Sequence, residues 1–216
     1  MEFAGLQCRI IDAEEARTKT HRQVLLVLAQ TFDDEGAVLL CEPSIVRGRS
    51  GPPDIAILDP KSGVHVVEIK GVPLKNVRSV RAGGAVEIAY DSGVSAKDPS
   101  KQASRKLFEI KDTAKRYFGG ELNIAFQSWV IFPRITRSEW TDKFGEAVST
   151  RNEVLFADDL ESSGLRERLQ KRGVDRLAAF NMQTCPAQQM RSVMAAFGDS
   201  EVLRPPSRSG PKSPAG

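Results

Sequence analysis

Pro53-Asp54-Ile55-Ala56-Ile57-Leu58, then Asp59-Pro60-Lys61-Ser62-Gly63, then Val64-His65-Val66-Val67-Glu68-Ile69-Lys70-Gly71: two apolar runs joined by turn-forming residues decide how this chain folds. The runs are rich in Val, Ile and Leu, and the Asp-Pro and Ser-Gly pairs between them are turn chemistry, so the stretch predicts a β-hairpin. If the hairpin is symmetric about Lys61, Leu58 faces Val64, Ala56 faces Val66 and Asp54 faces Glu68. Directly opposed side chains on such a ladder have Cβ atoms roughly 4.5 to 5.5 Å apart, and like charges placed there repel. A positive group should therefore lie between the two acids. Strand alternation puts Lys70 on their face, while His65, Val67 and Ile69 point the other way.

The rest of the chain supplies alternating helices and strands around that hairpin. Val24, Leu25, Leu28 and Phe32 recur at helical spacing and predict a helix over 12–32, with Asp12 and Glu15 forming a capping-box-like start. Residues 37–45 and, less strongly, 85–90 have β character, and a polar loop follows the latter. Asp98-Pro99 opens a second helix, with Asp as cap and Pro in the first turn, which ends at Gly119-Gly120. Its apolar stripe is Ala103, Leu107, Ile110 and Ala114, leaving Gln102 and Lys106 beside the stripe. The runs 126–132 and 153–157 suit strands buried on both faces, and helices are expected over 137–147, 162–172 and 186–197. The expected class is α/β, a central mixed β-sheet flanked by α-helices. One domain would span 1–203, with 204–216, rich in Pro, Ser and Gly, as a flexible tail or linker.

Composition narrows the function classes. With 40% hydrophobic and 27% charged residues the chain belongs with globular proteins, and no apolar run approaches the roughly 18 residues of a membrane span. The first residues lack the order of a secretory signal, so a cytoplasmic location is expected. Cys8, Cys41 and Cys185 are odd in number and far apart, which predicts buried free thiols. His21 and His65 are the only histidines and no nucleophile elbow is present, which disfavours acyl transfer. The absence of a P-loop or dinucleotide fingerprint assigns any ATP-driven motor to another chain. Trp129 and Trp140 read as buried anchors rather than base-stacking platforms. The net charge of +3 permits a polyanionic partner, and the cations concentrate in the middle third. Lys75, Arg78, Arg81, Lys101, Arg105 and Lys106 are the candidates for holding a nucleic-acid backbone.

Two facing carboxylates with a lysine beside them form a hard-oxygen cation site, which suits Mg²⁺ or Mn²⁺ and not zinc. Such an ion lowers the pKa of a bound water and neutralises charge developing on a phosphate. Lys70 would orient that water or stabilise the transition state as a fixed donor.

Pro53-Asp54 followed by Glu68-Ile69-Lys70 resembles the PD-(D/E)xK nuclease signature. Asp98-Pro99-Ser100-Lys101-Gln102 resembles the Asn-Pro-x-x-Gln element of its nuclease-related domain branch. Val154-Leu155-Phe156-Ala157-Asp158-Asp159-Leu160 is similar to that branch's late strand and helix start. The likeness covers about residues 10 to 170. It implies a restriction-endonuclease-like core and a Mg²⁺- or Mn²⁺-dependent deoxyribonuclease, an endo- or exonuclease of DNA repair or of defence against foreign DNA. Its partners would be DNA and a helicase or other ATP-driven module, with oligomerisation open. By this resemblance Asp54 and Glu68 bind the metal, Ile69 offers its carbonyl, Lys70 assists hydrolysis, and Gln102 helps set the nucleophile or the metal shell. One departure matters: where the family carries a glutamate on its first helix, this chain has His21, with Glu14 and Glu15 earlier. Either the register differs, or His21 replaces the acid, or that ligand is missing. The last option implies the alternative function, a catalytically weakened nuclease-fold module that binds nucleic acid or a partner protein such as a helicase.

Overall fold

A computed structural model describes residues 6–16, 18–34, 36–46, 48–81, 85–90, 93–145 and 153–198. The hairpin forms as the residue pattern requires: β3 (Ile55–Asp59) and β4 (Gly63–Ile69) are antiparallel, with Leu58 opposite Val64 and Ala56 opposite Val66. Every residue of both strands is buried, as expected for aliphatic runs covered on both faces. The turn closes at Gly63, whose φ of 98° lies in the left-handed region and whose missing Cβ admits the Ala125 carbonyl.

Around this hairpin, β1 (Arg9–Ile11), β2 (Val38–Cys41), β8 (Phe126–Phe132) and β9 (Val154–Phe156) complete a six-stranded sheet of order β1-β2-β3-β4-β8-β9. The sheet is mixed. β2, β3 and β4 pair antiparallel, while β1–β2, β4–β8 and β8–β9 pair parallel. Helix α1 (Lys19–Thr31) packs Val24, Leu25, Leu28 and Ala29 on one face, with Phe32 just past its end, against Ile55, Ile57, Val67 and Ile69. Helix α2 (Pro99–Phe118) packs Leu107, Ile110 and Ala114 on the other, against Ala56, Leu58, Val64 and Val66. Short helices α3 (Arg137–Phe144) and α4 (Ala157–Leu160) follow β8 and β9. Helix α5 (Leu165–Ala179) crosses below the hairpin turn, giving Leu165 and Leu169 to the first core and Leu177 to the second, and α6 (Ala187–Ala196) lies against α2. The α/β class and the flanked mixed sheet of the sequence reading are both present.

Three expectations are corrected. The first helix does not begin at Asp12, which adopts φ 56° and makes no side-chain cap. A 3-10 turn spans Ala13–Glu15, and the helix proper starts at Thr18, whose hydroxyl accepts from the His21 N–H at 3.1 Å. The β character over 37–45 shrinks to Val38–Cys41. Flanking β6 (Val86–Tyr90) are two strands that the sequence reading did not assign, β5 (Val77–Val80) and, within the polar loop expected after β6, β7 (Gly93–Lys97); they pair with it in a separate three-stranded antiparallel sheet. This small sheet covers Phe132, Trp140 and Phe156 with Val77, Val86 and Ile88. Helix α2 begins and ends as expected, with Asp98 accepting from the Lys101 N–H at 2.9 Å and Gly119 terminating it at φ 79°. The three cysteines are buried and free, and both tryptophans are buried. No helix among the described residues is long and apolar enough to cross a membrane. Residues 204–216, read as a tail, lie outside the described residues.

Candidate active site

The two ends of the hairpin carry two polar clusters of different construction. At the open end, Asp54 directly precedes β3 and Glu68 is the penultimate residue of β4, one step beyond the last ladder pair, Ile55 with Val67. The register thus brings the two acids opposite each other. Asp54 Oδ2 accepts from the Ile69 N–H at 2.6 Å, which ties the two strands together beyond the ladder. Glu68 is gripped on both oxygens: Lys70 Nζ donates to Oε1 at 2.9 Å and Lys106 Nζ to Oε2 at 2.6 Å. These three side chains are only 7%, 12% and 11% exposed for Glu68, Lys70 and Lys106, so the pairs are shielded from water.

The two carboxylates titrate apart. Burial and the neighbouring Glu68 charge push Asp54 above the usual carboxylate range, against the Ile69 hydrogen bond and the opposing influence of His21 and Lys106. Burial also acts to raise Glu68, but the Lys70 and Lys106 ammoniums outweigh it and hold Glu68 below its ordinary value. A carboxyl inclined to hold a proton therefore sits beside one inclined to stay charged, a division that acid–base sites use.

Two helix starts converge here. Thr20 of α1 approaches Gly71 closely enough that a Cβ there would lie 3.3 Å from the Thr20 methyl, which brings His21 within electrostatic reach of Asp54. From the other face, α2 presents Gln102 and Lys106, four residues apart and hence on one flank. Gln102 Oε1 is enclosed and has no hydrogen-bond donor. An enclosed acceptor left unpaired loses about 1–3 kcal/mol relative to a satisfied one.

The sequence-predicted residues sort as follows. Asp54, Glu68 and Lys70 meet, with Gln102 on the flank of α2 that carries Lys106. Glu14 and Glu15 belong to the 3-10 turn, and Glu15 lines a cleft of about 770 Å³ with Asp12, Cys41 and Glu42. Among the described residues no group of three or more His, Cys, Asp or Glu side chains could hold a metal ion, so no third acid joins the pair. Lys106, expected to hold nucleic-acid backbone, instead turns inward onto Glu68. Lys101 and Arg105 remain on the exposed face of α2, and Lys75, Arg78 and Arg81 are exposed at the small sheet, where Arg81 pairs with Glu87 at 2.7 Å. The inward lysine had one local signal, its four-residue spacing from Gln102.

The turn end holds the second cluster. Trp129 Nε1–H donates to His65 Nδ1 at 3.2 Å, which assigns the ring proton to Nε2. That N–H donates to Ser62 Oγ at 2.8 Å, and the Ser62 hydroxyl donates to Asp59. Gln170 Nε2 also donates to Asp59, at 3.0 Å. The proton order runs from imidazole to serine to carboxylate, the reverse of what a nucleophilic serine needs, and Asp59, Ser62 and His65 are wholly buried. Burial lowers the His65 pKa to about 3, so the ring stays neutral. This cluster locks the turn and offers no surface for chemistry. No family model, curated protein or solved structure matches this chain.

Proposed function

We propose that the protein is a divalent-metal-dependent phosphodiesterase acting on DNA, with its centre at the open end of the β3–β4 hairpin. The observation that carries this reading is the side-by-side placement of Asp54 and Glu68 with Lys70 on Glu68. The donor set fits Mg²⁺ or Mn²⁺: Asp54 and Glu68 carboxylates and the Ile69 carbonyl would hold the ion, and the unpaired Gln102 Oε1 offers an oxygen to its water shell. When bound, the ion would activate a water and offset charge on the phosphate. Lys70 contributes a shielded ammonium able to donate to a phosphate oxygen or to orient a water, an interaction that strengthens in a low-dielectric site. Asp54, inclined to carry a proton, would release it on coordinating the ion, so metal binding should strengthen as pH rises. Lys106 acts as the resident counter-ion of Glu68 and must yield that oxygen before a cation can share it. A restriction-endonuclease-like core and the nuclease-related domain branch belong to this proposal, as do a DNA substrate and an ATP-driven partner.

The test is cleavage of supercoiled, linear and single-stranded DNA with Mn²⁺, alongside Lys70→Ala. Metal-dependent cleavage abolished by the substitution supports the reading; cleavage that survives both Lys70→Ala and Glu68→Gln refutes it. A second reading has its own support: with both Glu68 oxygens held by lysines and no third acid among the described residues, the same geometry suits a nuclease-like module that binds without cutting. Absence of any Mn²⁺-dependent thermal stabilisation favours this second reading, because an ion bound only by the folded state must stabilise it.

A further inference from the structure

At the end of the sheet remote from Glu68, the first residues of β8 border two hollows that meet at Arg172. The larger, about 460 Å³, is walled by Gln127 and Trp129 from the sheet, by Glu153 just before β9, and by α5, which carries Arg168, Lys171, Arg172 and Asp175. Its volume falls in the range of small-ligand sites. The smaller, about 210 Å³, is bounded by Lys111, Phe126, Arg172 and Arg176, three cations and no acid.

The charges in these hollows are unequally satisfied. Lys171 is paired with Asp175 at 2.9 Å, and Arg168 with Asp159 at 2.5 Å. Among the described residues Arg172 makes no ion pair or hydrogen bond and Arg176 rests on the Phe180 ring at 5.6 Å, while Lys111 lies over Phe126 at 5.8 Å and within electrostatic reach of Glu121, which is itself paired with Lys115. Three cations around a concavity whose lining holds no acid repel one another and are relieved by an anion. The wall of the larger hollow supplies an independent sign: Gln127 is 3% exposed, and its Nε2 is enclosed without an acceptor. A half-turn of the amide exchanges its oxygen and nitrogen, so the group can offer either a donor or an acceptor. Trp129 stands two residues along the same strand, its indole N–H committed to His65 and its ring in the wall.

We propose that the paired hollows form a nucleoside 5′-monophosphate site. The phosphate lies among Lys111, Arg172 and Arg176, and the base enters the larger hollow, hydrogen-bonded by the Gln127 amide against the Trp129 indole. The site shares no residue with the Asp54–Glu68 centre and does not depend on the reading given to that centre.

The experiment is calorimetric titration of the full chain with the four common ribonucleoside 5′-monophosphates, and with inorganic phosphate and adenosine as separate arms, followed in parallel by tryptophan emission. At least one nucleotide should bind saturably, tenfold or more tighter than phosphate or adenosine, with an emission change absent in Trp129→Phe. Arg172→Gln, an exposed substitution that leaves the core intact, should weaken binding at least tenfold, and Gln127→Leu should erase the preference among bases. No saturable binding at millimolar nucleotide overturns the proposal. So does binding no tighter than that of phosphate alone, which would mean an anion site only, or affinity indifferent to Arg172→Gln.

Discussion

The same hairpin carries a buried carboxylate near each end, and the two are treated in opposite ways. Asp59, at the turn, is fully enclosed and receives hydrogen bonds from neutral groups of Ser62 and Gln170 and from the Lys61 amide at 3.1 Å, in a network whose members are mutually satisfied. Glu68, at the open end, is held by two ammonium groups, faces a second acid, and has an unpaired amide oxygen on the flanking helix. A closed network of neutral partners rigidifies a turn. A cluster of opposed charges with an unused acceptor stores interactions that only a further ligand can complete, the expected composition of a functional site.

Substitutions can break this contrast, and the largest effect is expected at the open end. Glu68→Gln removes the charge with little change in volume and should lower DNA cleavage by about a thousandfold; it also leaves the shielded Lys70 and Lys106 without their shared counter-charge, so the melting temperature should fall as well, and wild-type cleavage in the folded variant would mean that Glu68 is only structural. At the turn, stability alone should suffer. Gly173 of α5 sits against the Ser62 backbone so closely that a Cβ would lie 1.9 Å from the Ser62 carbonyl oxygen. Gly173→Ala should therefore cost about 3 kcal/mol or more in urea unfolding, and a stable Gly173→Ala protein would show that the helix can move away freely.

Acid sharpens the contrast further. The His65 imidazole has its folded pKa lowered to about 3 by burial, whereas in the unfolded chain it protonates near pH ~6.5. The unfolded state then binds more protons between these values, so the stability contribution is complete above the unfolded pKa and is lost as pH falls toward 3. The slope is up to about 1.4 kcal/mol per pH unit. Urea titrations across this window should show a shallower dependence in His65→Gln; parallel curves for the two proteins would remove His65 from the account. The smallest effect concerns Lys106. Replacing it with Met frees one Glu68 oxygen and should tighten Mn²⁺ binding, measured calorimetrically, about tenfold, or ~1.4 kcal/mol. Unchanged or weaker binding would show that Lys106 does not compete for that oxygen.

The sheet centre was readable from the residues because its signals are local. Aliphatic runs flank an Asp-Pro…Ser-Gly turn, and the hairpin register follows from symmetry about Lys61. Asp98-Pro99 and Gly119 likewise mark α2 through contacts within a few residues. What escaped depends on distant partners. Val77–Val80 and Gly93–Lys97 are short and polar-interrupted, and they become strands only by pairing with β6, where Ser79 and Arg81 bond Glu87. Asp12 and Glu15 have the composition of a cap, yet the backbone turns left-handed at Asp12 and the helix waits for Thr18. The inward turn of Lys106 rests on a long side chain meeting a carboxylate 38 positions away; its four-residue spacing from Gln102 gives the flank of α2 but not that partner.

Helix α5 contributes to the hydrophobic layer under α1 with its first turns and to that under α2 with its last, passing beneath the hairpin where it has no side chain at Gly173. Neither layer can melt without stripping apolar surface from this shared strut. Amide protons of α1 and α2 should accordingly exchange with a common opening free energy, as one cooperative block.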